Sequence, residues 1–214
     1  ALNSLHSVTF EIDEKHGTNY HKRFLDFVKM VQQENLVIGG AMTDPKGDRS
    51  KGPSEQDDPE MFTMVVETND KGIYVSGAKA HQTGCINSHW IILMPTVRLT
   101  ENDKDWAFVG VIPADAKGVT YIYGRQSCDT RSMEEGDIDD GNAKYAGQEA
   151  LMILEGVFIP WDKVFMHGEY EYASMLIERF TCYHRRSYVC KTGLGDVLIG
   201  AAATIADYNG VPKV

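Results

Sequence analysis

Apolar residues change their spacing twice along this chain. In NYHKRFLDFVKMVQQENL, Tyr20, Phe24, Phe27, Val28 and Val31 recur at intervals that place them on one face of an amphipathic helix, entered from Thr18 or Asn19 as cap. From about Thr63 to Phe165 the apolar runs shorten to MFTMVVE, GIYVSGAKA, HWIILMPTVRL, DWAFVGVIP and GVTYIYGR, each bounded by Gly, Pro, Asn or Asp. Short β-branched and aromatic runs between turn residues predict an antiparallel sheet or barrel. From about Tyr170 the helical spacing returns. Leu176, Ile177 and Phe180 form an apolar face that must point to core, and Val197, Gly200, Ala201, Thr204, Ile205 and Tyr208 share another that stops at Asn209–Gly210. Helix, β, helix is the order of an α+β fold.

The last helix adds a demand of its own. Between Val197 and Ala206 it is apolar or small on more than one side, and nothing follows Val214 to cover it. The expectation is a fragment of a larger subunit, or a chain completed by another.

Composition narrows the function classes. The 214 residues are 43% hydrophobic, enough for a packed core in one large domain or two small ones. A formal net charge of −10 speaks against nucleic acid or an anionic membrane as partner, because both need a clustered basic surface. No run is long and apolar enough to span a bilayer, and the N-terminus does not read as a signal peptide, which predicts a soluble cytoplasmic protein. Cys85, Cys128, Cys182 and Cys190 fall at wide, irregular spacings, without the pairing of a zinc ribbon or a disulfide scaffold. Cys85, Cys128 and Cys182 are expected to be buried or partly buried thiols.

Three short motifs fail on geometry. GLGDVLIG spaces its glycines wrongly for a dinucleotide fingerprint, DIDDGN carries its glycine too early for a calcium loop, and DPKGDRSK has no P-loop frame. The run from Glu134 to Asp140 is expected to be a solvated loop.

Longer strings carry more information. GGAMTDPKGDRSKGP, GAKAHQTGCINSH, IYGRQSCDTR, and the HRRSY and GDVLIGAA runs together resemble the 4-hydroxyphenylacetate 3-hydroxylase superfamily of flavin proteins, and within it the branch that dehydrates hydroxyacyl-CoA. The resemblance implies an acyl-CoA dehydrogenase-like fold: residues 1–38 as the end of a helical domain, 39–168 as a central antiparallel β-barrel, and 169–214 as the start of a C-terminal helical bundle. Subunits of the superfamily are about twice this length. Some form homotetramers, and that assembly, or completion by other segments of the same subunit, is expected here.

The resemblance also implies cofactors and sites. FAD would lie against Met42, Thr43, Asp44, Lys46, Gly47, Asp48 and Arg49 and against His81, Gln82 and Thr83, on connections whose backbone amides and short polar side chains can approach an isoalloxazine or pyrophosphate. In the dehydratase branch a [4Fe–4S] cluster is held by three cysteines and a histidine; His184 and Cys190 match two of these ligands, and no residue here stands for the other two. The branch separates them by six residues, whereas HRRSYVC leaves five, and a step of six along a regular helix lands roughly 120° from its starting face. Ligation by Cys190 therefore predicts a break or bulge between Tyr188 and Gly193.

Removing an unactivated β-proton from a hydroxyacyl-CoA is beyond a side chain acting alone. In the branch a one-electron step through flavin makes a ketyl-like radical in which that proton is acidic, and the cluster acts on the departing hydroxyl. His184 is then a candidate base as well as ligand, Glu149 and Tyr188 would move or orient protons, and Lys191 would place positive charge nearby. Two other classes stay open: an aromatic hydroxylase using reduced flavin and oxygen, and an inactive remnant or assembly module.

Overall fold

The computed structural model describes residues 1–123, 149–184 and 187–211, and the side chains of all of these except 184 and 187–190. Two units follow one another, Ala1–Ile177 and Glu178–Val214.

The first unit opens with a helical hairpin, α1 (Leu2–His16) and α2 (Tyr20–Gln33). Gly17, at φ 66, ends α1 in the left-handed conformation that glycine tolerates best. The cap of α2 differs from expectation: Asn19 occupies the cap position without a side-chain bond, and the carboxylate of Asp13 accepts from the amides of Tyr20 and His21 at 2.8 and 2.9 Å. Tyr20, Phe24, Phe27 and Val31 are the buried face of α2, as the spacing predicts. Phe24 and Phe27 meet Phe165 at centroid distances of 5.6 and 5.7 Å.

Eight described strands form two four-stranded sheets. β1 (Ile38–Ala41), β4 (Trp90–Leu93), β5 (Phe108–Pro113) and β8 (Val164–His167) make the first, in that order. β2 (Met64–Thr68), β3 (Gly72–Lys79), β7 (Ala150–Pro160) and β6 (Val119–Tyr123) make the second. All five apolar runs singled out in the sequence contain a strand. One expectation needs correction and another is met only in part. β1 pairs with β4 in parallel, so the β region is mixed and not wholly antiparallel. Among the described residues the strands make two sheets and no closed barrel. One apolar cluster joins α1, α2, both sheets and the start of α3 (Glu171–His184), through Tyr172 and Leu176.

Between β4 and β5 a turn of 3-10 helix buries Asp103, 2% exposed. Its two oxygens accept from the amide and hydroxyl of Ser54 at 3.0 and 2.7 Å and from the amide and hydroxyl of Thr100 at 2.9 and 2.7 Å. Burial pushes this carboxyl up, but the hydrogen bonds from Ser54 and Thr100 win and hold it below its ordinary value of 3.8. A depressed native pKa stabilises the fold above that ordinary value, and the contribution disappears as pH falls below it. Asp103→Ala should cost about 2–4 kcal/mol at neutral pH, because four donors lose their acceptor, and less in acid. Urea titrations at neutral and acid pH check both.

The second unit is dominated by α4 (Ser187–Tyr208). Leu194, Val197, Leu198, Ile199, Ile205 and Tyr208 are all exposed on it, on several sides, in line with its apolar composition. Cys182 is exposed, which corrects the expectation of a buried thiol; Cys85 is buried as expected, and Cys128 and the 134–140 loop lie outside the described residues. Among the described residues no helix is long and apolar enough to cross a membrane.

Candidate functional site

Both segments singled out for flavin leave the sheets at one place. β1 and β4, parallel neighbours, end at Ala41 and Leu93, and β3 of the other sheet ends at Lys79. The Lys79 ammonium donates to the carbonyls of Met42 and Met94 at 3.2 and 2.9 Å and to Asp44 Oδ1 at 2.5 Å. Thr96 Oγ1 donates to Asp44 Oδ2 at 2.7 Å. The Lys79 and Asp44 side chains are only 2% and 6% exposed, so the pair is tolerable only with this full set of partners.

A second tie runs beside the first. The carbonyl of Thr43 accepts from the Ala80 amide at 2.7 Å and from Gln82 Nε2 at 3.2 Å, while Gln82 Oε1 accepts from the Met42 amide at 3.2 Å. Gln82 is 1% exposed, and its own amide donates to the Ala150 carbonyl at 2.9 Å. Met42–Asp44 and Ala80–Gln82 are therefore one hydrogen-bonded body, whose first segment lines one cleft and whose second lines another.

The first cleft, of about 350 Å³, is lined by Thr43, Asp44, Lys46, Asp48, Arg49 and Thr96 among others. Its rim is a loop stapled by Gln56, which accepts from the Asp48 amide at 3.0 Å and donates to the Asp48 carbonyl at 2.8 Å. Hydrogen bonds from the Ser50 hydroxyl and amide hold the Asp48 carboxyl below its ordinary value, so it stays anionic. Gly47 turns the loop at φ 44, and a Cβ there would meet Gln56 Oε1 at 2.5 Å. Gly47→Ala should destabilise by about 1–3 kcal/mol, from left-handed strain and displacement of the staple, and a thermal melt checks it.

The second cleft, of about 340 Å³, is lined by Ala80, His81, Ile122, Tyr123, Glu149 and Leu151 among others. His81 sits at φ 57, a conformation uncommon for a non-glycine residue. Thr83 Oγ1 donates to Glu149 Oε1 at 2.5 Å. That bond commits the Thr83 hydroxyl to Glu149, so Thr83→Val should free the carboxylate and cost about 0.5–1.5 kcal/mol of stability, which a thermal melt checks.

The candidate residues thus divide. Lys46, Gly47, Asp48, Arg49, His81 and Thr83 are exposed at the clefts, and Met42 and Thr43 are half-buried. Asp44 and Gln82 have their side chains engaged in holding the two segments together. Lys191 is exposed in the second unit, and the side chains of His184, Tyr188 and Cys190 lie outside the described residues. The bulge expected between Tyr188 and Gly193 is absent, since Ser187–Tyr208 is one α-helix. Among the described residues no group of three or more His, Cys, Asp or Glu is placed to hold a metal. The sequence reading missed Lys79 and Thr96. The one signal was parity: Lys79 keeps step with Ile73 and Val75, whose side chains are buried.

A family model described as 4-hydroxyphenylacetate 3-hydroxylase N terminal matches residues 1–166, and one described as 4-hydroxyphenylacetate 3-hydroxylase C terminal matches 173–214. The chain is 58% identical over 215 aligned positions to the 4-hydroxybutyryl-CoA dehydratase/vinylacetyl-CoA-Δ-isomerase of Clostridium aminobutyricum, covering 100% of this chain and 44% of that protein. It superposes with a TM-score of 0.86 and 89% identity on an oxygen-tolerant archaeal 4-hydroxybutyryl-CoA dehydratase from N. maritimus, covering 100% of this chain and 43% of that one. At 20% identity it shares the fold of the oxygenase component of 4-hydroxyphenylacetate 3-monooxygenase complexed with FAD, with a TM-score of 0.74 over 95% of this chain and 43% of the other. The chain therefore spans less than half the length of these relatives.

Proposed function

Since the chain belongs to the 4-hydroxyphenylacetate 3-hydroxylase family, we propose that it is the flavin-holding part of an enzyme that dehydrates 4-hydroxybutyryl-CoA to crotonyl-CoA. The observation that carries this reading is the union of the 42–49 and 80–83 segments, each lining a cleft, into one hydrogen-bonded body. The two sheets are read as the central domain of an acyl-CoA dehydrogenase-like subunit.

The residues present fit a flavin. The first cleft sets the exposed cations Lys46 and Arg49 on an acidic chain, next to the half-buried Thr43, a donor set suited to an anionic, hydrogen-bonding ligand. FAD, when bound, supplies the one-electron chemistry that makes the β-proton of the thioester acidic. Glu149 is the residue to take that proton: Thr83 holds its carboxylate at the mouth of the second cleft, and a positioned carboxylate is an effective base once the carbon acid has been strengthened. Arg49 and Lys46 bind, and the Lys79–Asp44 pair keeps the loop that bears them in place. For the [4Fe–4S] cluster this chain offers at most His184 and Cys190, and no step is assigned to it.

An aromatic hydroxylase is the second reading, favoured by the shared fold with an oxygenase that carries FAD. Flavin, iron and acid-labile sulfide measured on the anaerobically purified full-length protein separate the two. All three are expected; flavin without iron or sulfide would favour the hydroxylase, and no flavin would overturn both.

A further inference from the structure

We propose that Lys79 is a positioning residue for the flavin site, acting through Asp44 and the carbonyls of Met42 and Met94; this rests on the flavin reading of the cleft beside it. Lys79 belongs to one sheet and its three hydrogen bonds all go to the other sheet's strand ends: Met42 and Asp44 follow β1, and Met94 follows β4. Two parallel strands that end side by side leave carbonyls pointing past the sheet, and buried carbonyls need donors. The ammonium supplies two of them with one group, and its third bond fixes the Asp44 carboxylate, whose other oxygen is fixed by Thr96.

The consequence is directional. Asp44 and Thr96 line the first cleft, while Ala80, the residue after Lys79, lines the second. The Lys79 nitrogen thus ties the strand end that enters the 80–83 turn to the 42–49 loop and to Met94, beside the bonds that Gln82 and the Ala80 amide make to Met42 and Thr43. A long cation that is 2% exposed has no solvent role, and all the donors of its ammonium are used within the chain. What it does is hold two ligand-facing segments in one register across two sheets.

The test uses the full-length protein and FAD as probe, with Lys79→Met, Thr96→Val and, as a control outside both clefts, Ile12→Val on α1. Affinity is read by titration, and the visible circular dichroism of the flavin is read at saturation, where a loss of stability alone leaves the spectrum unchanged. Lys79→Met should weaken FAD binding at least about tenfold and Thr96→Val about threefold to tenfold, with the bound-flavin spectrum altered in both. Ile12→Val should lower the melting temperature and leave affinity and spectrum as in the wild type. Where Lys79→Met does not fold, Thr96→Val decides. Wild-type affinity and spectrum in the clamp variants, or the same spectral change in the control, would overturn the proposal while the flavin reading stands. A wild-type protein that binds no FAD would end the flavin reading itself, and this proposal with it.

Discussion

Replacing Glu149 by Gln in the full-length protein should lower kcat for dehydration by about 10²–10⁴-fold, the usual worth of a positioned general base, and leave FAD content unchanged. The amide is nearly the shape of the carboxylate, and its oxygen can still accept from Thr83 Oγ1, so the 2.5 Å contact has a successor and the second cleft keeps its wall. What the substitution removes is the capacity to take a proton. Glu149 immediately precedes β7, whose ladder with β3 and β6 fixes the backbone on its C-terminal side. Loss of rate should therefore appear without loss of fold. Single-turnover measurement of crotonyl-CoA formation checks it, and a rate equal to the wild type would remove Glu149 from the chemistry.

Gly77→Ala should destabilise the first unit by about 3 kcal/mol or more and release FAD at the same time. Gly77 stands at φ 122, where a side chain is strained in any surroundings, and a Cβ there would lie 2.6 Å from the Phe62 carbonyl oxygen and 2.7 Å from Thr63 Cα. Both neighbours are backbone, so no rotamer change makes room. Gly77 also sits at a register shift of β3 against β7, and Lys79 is the second residue after it. Moving the strand at this point moves the ammonium that ties Met42, Asp44 and Met94. Chemical denaturation reads the first effect and FAD titration the second; an unchanged midpoint would contradict the packing described here.

How much of this was legible from residues can be traced position by position. The strands were readable because β-branched runs lie between turn formers, and α2 because Phe24, Phe27 and Val31 keep a helical interval. The parallel pairing of β1 was not readable: IGGA has no alternation to set a face, and a Cβ on Gly39 would lie 2.8 Å from Ser88 Oγ, a close approach the sequence does not announce. The two cleft-lining segments were singled out through their resemblance and their turn residues. Their mutual contact was not, because it depends on a lysine, and a lysine in a strand ordinarily reads as a solvated residue. That Asp44 and Gln82 hold the two segments together was hidden for the same reason: sequence shows a polar side chain but not where its bonds go. Asp13 as the cap of α2 was hidden by its distance in sequence from the amides it accepts from.

The second helical stretch shows the opposite case. Periodicity read it as a helix with apolar residues on more than one side, and Leu194, Val197, Leu198 and Ile205 are exposed on a regular one. Cluster ligation by Cys190 predicted a bulge between Tyr188 and Gly193, and α4 passes through these residues without one. Helix regularity is set by local backbone bonding, which a ligand requirement in the sequence cannot reveal by itself.

The most direct test of the account is to incubate the anaerobically purified, full-length, FAD-loaded protein with 4-hydroxybutyryl-CoA and follow crotonyl-CoA. Conversion that needs no oxygen and no added reductant is the predicted result; no conversion, together with hydroxylation of a phenol when reduced flavin and oxygen are supplied, would contradict it.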